Sequence, residues 1–262
     1  MKPGVAGGLH SPLLGHLRPW LDRLPAVPDA TALAELAAAS DLRTESGRRL
    51  VFAPPVADGL GYERRIWELG AVETRPGNWH DFFNALIWFA FPRAKAALNA
   101  RHMRAMPASD AGRGAVRDAM THFDECGLVV VSADPALLEL MRGFRWKELF
   151  WERREALRRD MRFFVFGHAT CEQLLAPFRG LTAKAVLYAV GADWLERAPA
   201  AQLADIDRRL AAELAAGLHA APRHLQPVPL LGLPGMTPSN EHADYYDDTW
   251  QFRPGRQRVA GV

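Results

Sequence analysis

Residues 79–106 read WHDFFNALIWFAFPRAKAALNARHMRAM, and the pattern of that stretch decides the fold. Between Phe82 and Phe91 almost every position is apolar. A helix there has no face to offer water, so it belongs in the centre of a core. Pro92 divides the stretch, because proline lacks the N–H of a helix interior but fits the first turn of a new helix. Asn78 stands where an N-cap is needed for the first segment. The spacing therefore predicts two consecutive helices, the first buried.

Outward from this pair, apolar spacing predicts helices over Thr31–Ala39, Tyr62–Leu69 (with Ile66 and Leu69 facing inward), Gly112–Met120, Asp134–Met141, Arg145–Arg159, His168–Leu175, Leu181–Val190 and Ala200–Leu218. Arg49–Pro55 (RLVFAPP) reads as a short extended piece, and His122–Glu125 as a turn before Gly127. Leu128–Val131 and Arg162–Phe166 read as strands, and the helices between them suggest a crossover joining parallel neighbours. The expectation is an α+β protein: a mainly helical single domain with a small sheet built on the strands near 128–131 and 162–166. After Pro222 the chain is rich in Pro and Gly and reads as irregular. Its apolar residues, among them Leu230, Tyr246 and Phe252, are too many for a free tail, so it is expected to pack back across the domain. There Asn240, Glu241 and Asp247 or Asp248 should border the site around His80 or pair with the basic helix near Arg93.

The bulk numbers narrow the function classes. The 262 residues are 49% hydrophobic and 24% charged, ordinary for a folded chain. A formal charge of +2 gives no strong nucleic-acid signal. Cys126 and Cys171 form no C-x-x-C pair, which suits a reducing compartment. No apolar run is long enough to span a bilayer or form a signal core, and a cytoplasmic protein is expected. Walker, GxGxxG, HExxH and GxSxG motifs are absent.

The chemistry-bearing residues fall into stripes. His80, Asp81 and Asn84 are the strongly polar side chains of the apolar helix and lie on one edge of it. They read as a catalytic edge with His80 as base or metal ligand, or as helix capping plus a structural hydrogen-bond network. Lys95, Asn99 and His102 share a stripe of the second helix and suggest an anion-binding surface, with Arg93, Arg101 and Arg104 as a solvated basic face. Asp124 and Glu125 precede the apolar strand LVVV. Gly167-His168 lies at a strand-to-helix junction, with Glu172 one turn later. His80, Asp124, Glu125 and His168 are thus candidate metal ligands, and His80, Asp81, Asn84, His168 and Glu172 candidate catalytic residues. Lys95 and Asn99 are candidates for holding a bound anion.

The strings WHDFFNAL, FPRAKAALN, FDECG, RWKELF, FGH followed by Glu172, GLTAKA, GLPG and YYDD with FRP, in this order, resemble the bacterial family called domain of unknown function 3025. The resemblance runs from about Trp79 to the C-terminus. It implies one family-wide globular unit over 46–262, with 1–45 as a variable N-terminal extension, and carries no activity. The residues themselves support two expectations. One is a metal-assisted hydrolase, its divalent ion held by a His/Asp/Glu site, acting on a phosphate or amide bond of a small or anionic substrate. The other is a non-catalytic protein- or RNA-binding module whose polar residues only lock the core.

Overall fold

The structure, a computed structural model, describes residues 8–24, 29–106 and 114–255. In chain order the main elements are α1 (Ala30–Ala38), β1 (Val51–Ala53), α2 (Tyr62–Leu69), β2 (Ala71–Glu73), α3 (Trp79–Ala90) and α4 (Pro92–Arg104). Then follow α5 (Ala115–Cys126), β3 (Gly127–Ser132), α6 (Pro135–Arg142), α7 (Arg154–Asp160), β4 (Met161–Val165) and α8 (His168–Gln173). The last are β5 (Thr182–Ala189), α9 (Pro199–Ala215) and β6 (Gln226–Pro229). Helix exceeds strand, and the fold is α+β. The strands form a parallel pair, β1 with β2, and a mixed sheet in the order β4-β3-β5-β6.

The two decisive helices form as their sequence requires. Asn78 Oδ1 accepts from the Asp81 amide at 3.0 Å, and Pro92 opens α4. Every residue of α3 from Asp81 to Ala90 is buried. Helix α4 is buried from Ala94 to His102; of its expected solvated arginines, Arg93 and Arg104 are exposed and Arg101 is buried. Helix α9 lies along it, and Asp207 of α9 accepts from the otherwise orphaned amides of Arg93 (3.2 Å) and Ala94 (2.8 Å). At the other end the Arg101 guanidinium donates to the carbonyls of Gly217 and Leu218, just past the end of α9.

The strands at 128–131 and 162–166 are neighbours, but antiparallel rather than parallel. Between them the chain makes two helical passes, α6 and a π-helical turn (Glu148–Glu152) running into α7, so it comes back to the end where β3 stopped. The Ala133 amide donates to Asp160 O at 2.9 Å and closes that return. The long helix expected over Arg145–Arg159 is broken at this π-turn. The parallel partner of β3 is β5, a segment whose Ala and Leu content reads as a helix. Ala183, Ala185 and Val186 are buried, on both faces of the strand, and pairing with β3 overrides local propensity. Strand β6 carries Pro227 and Pro229 and forms the edge beside β5, where missing donors are tolerated. Leu69 is 52% exposed instead of inward, because it ends the last turn of α2 just before Gly70. The turn expected at His122–Glu125 is the last stretch of α5, which runs straight into β3; Gly112 lies outside the described residues.

One hydrophobic cluster joins Leu14, Leu17 and Leu33 from the N-terminal stretch with α3, the sheet, and Leu230, Tyr246 and Phe252 from the C-terminal stretch. The C-terminal segment does pack back, but not against the His80 region. The buried Arg154 guanidinium donates to Asn240 O (3.0 Å) and the Tyr246 hydroxyl (3.1 Å), and also pairs with Glu241. Asp247 pairs with Lys147 and Asp248 with Arg179. Among the described residues no helix is long and apolar enough to cross a membrane.

Candidate functional site

The antiparallel pairing of β3 and β4 builds the site. Helix α5 enters β3 and helix α8 leaves β4, so in an antiparallel pair both lie at the same end of the sheet. Parallel strands would have put them at opposite ends. The crossing is tight: Gly167 N donates to Gly127 O at 2.8 Å. A Cβ on Gly167 would come within 2.4 Å of Gly127 N and 2.5 Å of Glu125 O, so only glycine fits. This contact sets Glu125, from the end of α5, beside His168, the first residue of α8. Helix α3 packs on α8 and brings His80 to the same point.

The two imidazoles meet through their Nε2 atoms at 3.0 Å. Glu125 Oε2 stands 3.4 Å from His168 Nε2 and 3.8 Å from His80 Nε2. Ligand atoms of His80, Glu125 and His168 all lie within 4.8 Å of one another. The far side of each ring meets a carboxylate. His80 Nδ1 is 3.2 Å from Glu172 Oε2, and His168 Nδ1 is 3.9 Å from Asp124 Oδ2. Burial drives the His168 imidazole down to about 4, further than Asp124 can raise it back, so it is neutral at physiological pH. Burial likewise raises the Glu125 carboxyl above its ordinary value, against the pull of His80.

Behind this cluster lies a buried polar network. The buried Lys95 ammonium donates to Asp124 Oδ1 (2.5 Å) and Asn84 Oδ1 (2.9 Å). Asn84 Nδ2 in turn donates to the Tyr62 hydroxyl at 2.6 Å. Burial, the largest influence on the Asp124 carboxyl, would raise it, but the charge and hydrogen bond of Lys95, together with His168 and His102, outweigh burial and hold the carboxyl below the usual carboxylate range. Asp81 is turned aside to Arg75, which grips it with Nε and Nη2 at 2.7 and 2.8 Å and with its own backbone amide at 2.8 Å.

The structure thus brings together His80, His168, Glu125 and Glu172, with Asp124 and Asn84 immediately behind them. Lys95 and Asn99, expected as an exposed anion surface, are 3% and 2% exposed. Lys95 is taken by Asp124, while Asn99 Nδ2 donates to Glu63 Oε2 at 2.7 Å.

The cluster opens into a cavity of about 560 Å³, lined further by Tyr62, Glu63, His102, Arg117 and Thr121. Glu63 and Arg117 escape sequence reasoning. A Glu in the first turn of a helix reads as dipole complement, and an Arg on an amphipathic helix reads as surface. Burial, with the Asp124 charge adding to it, pushes the Glu63 carboxyl up to about 7.

No curated protein and no solved structure matches the chain. A family model described as protein of unknown function (DUF3025) matches residues 51–256. That stretch contains every residue of the His80–His168–Glu125 cluster and every residue lining the cavity, and the chain belongs to this family.

Proposed function

We propose that the protein is a metal-assisted hydrolase in which His80, His168 and Glu125 hold a divalent ion. The observation that carries this reading is the convergence of both Nε2 atoms and one carboxylate oxygen, with a carboxylate behind each ring. Ligands about 2.0–2.1 Å from a tetrahedral zinc stand about 3.3 Å apart, and the separations of 3.0, 3.4 and 3.8 Å bracket that value. An N–H···N hydrogen bond would account for the imidazole pair alone. It leaves unexplained why Glu125 approaches both nitrogens. Glu172 behind the His80 ring fixes its orientation through Nδ1, the usual support of a histidine ligand, while Asp124 faces the His168 ring beyond hydrogen-bond distance.

A divalent ion bound there would polarise a carbonyl or phosphoryl oxygen and acidify a water. The chain's own groups supply the rest. Glu172 orients His80 through Nδ1, and Asp124, itself neutralised by Lys95, faces Nδ1 of His168. Glu63, on the same cavity wall, carries a carboxyl that burial pushes up to about 7, and is the group to give a proton to the leaving alkoxide of a phosphate ester or the leaving amine of an amide. A core-locking network has no need of an open cavity, so the cavity favours an enzyme over a binding module.

Two histidines and one carboxylate are also the donor set of iron(II) oxygen chemistry, so the identity of the ion matters. Elemental analysis of protein purified without an affinity tag should find about one zinc or other redox-inert divalent ion per chain. His80→Ala should lose the ion while the chain stays folded. Wild-type protein that retains no ion, and whose melting temperature no divalent ion raises, would refute the metal site; stoichiometric iron would refute the hydrolase.

A further inference from the structure

The cavity has a second pole. Arg117, Thr121, Asp124 and Glu125 all line it, at i, i+4, i+7 and i+8 of α5. They therefore form one continuous face of that helix, the wall between the cluster and Arg117. Eight residues of helix rise span about 12 Å. Three arginines line the cavity, and two are already engaged. Arg64 pairs with Glu68 at 2.7 Å, and Arg75 grips Asp81. Arg117 makes no ion pair or hydrogen bond among the described residues, and its Nε is buried without an acceptor. An unpaired buried donor on a charged group is costly, and such groups normally have a partner. Glu63 is the carboxyl whose charge Arg117 feels, but its oxygens are directed to Asn99 and His102 (2.7 and 3.8 Å). Burial also pushes its carboxyl up to about 7, which makes it a poor fixed counter-ion.

We infer that Arg117 is the recognition site for an oxyanion group, carboxylate or phosphate, carried by the substrate on the order of 10 Å from the bond that is cleaved. This rests on the hydrolase reading for the position of the cleaved bond, but the anion site itself does not. A guanidinium fork suits both oxyanions because it donates two parallel N–H bonds to either. The cavity volume accommodates a small molecule of that length rather than a bare ion.

The test uses the full chain, stripped with a chelator and titrated calorimetrically at low salt with two probes, inorganic phosphate and benzoate. Wild-type protein should bind at least one of them, and the preferred probe names the oxyanion. Arg117→Gln should weaken that binding roughly tenfold or more, the loss of a charge-assisted hydrogen bond. Its uptake of metal should match wild type, because Arg117 is not a ligand. Arg117→Lys keeps the charge without the fork, and should fall between the two; it carries the test if the Gln variant melts early. Binding of neither probe, binding unchanged in Arg117→Gln, or binding abolished by His80→Ala instead would each overturn the inference. Arg117-dependent anion binding in a protein that takes up no metal would uphold it and refute the metal site alone.

Discussion

Replacing Lys95 by Met removes one charge from the most deeply buried ion pair of the site. Lys95 is 3% exposed and Asp124 8%, and the ammonium donates to both Asp124 and Asn84. The substitution keeps the side-chain volume, so it leaves no large cavity. What it leaves is a buried carboxylate without its counter-charge and an amide oxygen without its donor. Breaking a buried pair from one side costs about 3–5 kcal/mol. Asp124 keeps His168 nearby and a sliver of solvent exposure, so the lower end, about 3 kcal/mol, is expected. That corresponds to a fall in Tm of roughly 6–12 °C for a chain of this size. Urea unfolding at pH 7 in the presence of a chelator isolates the effect from metal binding. Adding Asp124→Asn should restore most of the loss, because the orphaned charge is then gone. The sign of the pH dependence follows from the carboxyl. In the wild type Lys95 holds Asp124 below its ordinary range, a stabilisation present above the unfolded value and lost as pH falls through the folded one. In the variant burial is opposed only by the histidines and the folded value rises, so the gap between the two proteins should narrow as the pH falls toward 4. A Lys95→Met protein within about 1 kcal/mol of wild type at pH 7 would refute the assignment of Lys95 as the counter-ion that keeps Asp124 charged.

Three further outcomes are expected. His16 Nε2 bonds to Val165 O at 2.9 Å, and burial lowers its imidazole from 6.5 to about 4. Between those values the unfolded chain binds more protons, so stability should fall by roughly 3 kcal/mol as the pH drops from 6.5 to 4. Denaturant curves for wild type and His16→Leu across that range should diverge in slope, and parallel curves would count against it. Gly167→Ala forces a methyl into the backbone of Gly127 and Glu125, and should cost about 1–3 kcal/mol in a thermal melt. Because the same contact sets Glu125 beside His168, that variant should also bind the divalent ion more weakly, whereas equal metal affinity would separate the crossing from the site.

What could be read from the chain follows the range of the forces involved. The α3–α4 pair was legible because burial, capping and the proline break are all local, and so was the polar edge of His80 and Asn84. Gly167-His168 with Glu172 was legible because a glycine before a helix is a local signal of close approach. Strand β5 was not. Thr182–Ala189 has the composition of a helix, and only the distant β3 makes it a strand. The antiparallel return of β4 depends on the π-turn at Glu148–Glu152, which nothing in that stretch announces. Lys95 looked like surface because charged residues usually are, and its buried partner Asp124 is 29 residues away. Arg117 and Glu63 carry no local pattern that points to a site; the cavity they share exists only once α2 and α5 are both packed against α4.

The N-terminal stretch bears on what the family's shared sequence means physically. The family match begins at residue 51, yet Leu14, Leu17, Leu33 and Leu50, all at 2% exposure or less, sit in the same core as α3. The 3-10 turn Pro12–Leu17 lies against β4, and His16 ties the two by its bond to Val165 O. Homology and mechanics therefore draw different borders around this molecule. A recombinant fragment cut at the edge of the conserved stretch would present the seats of those leucines to water, together with one long edge of its sheet. Such a fragment would carry the whole family-matched stretch and the solution behaviour of a half-folded chain.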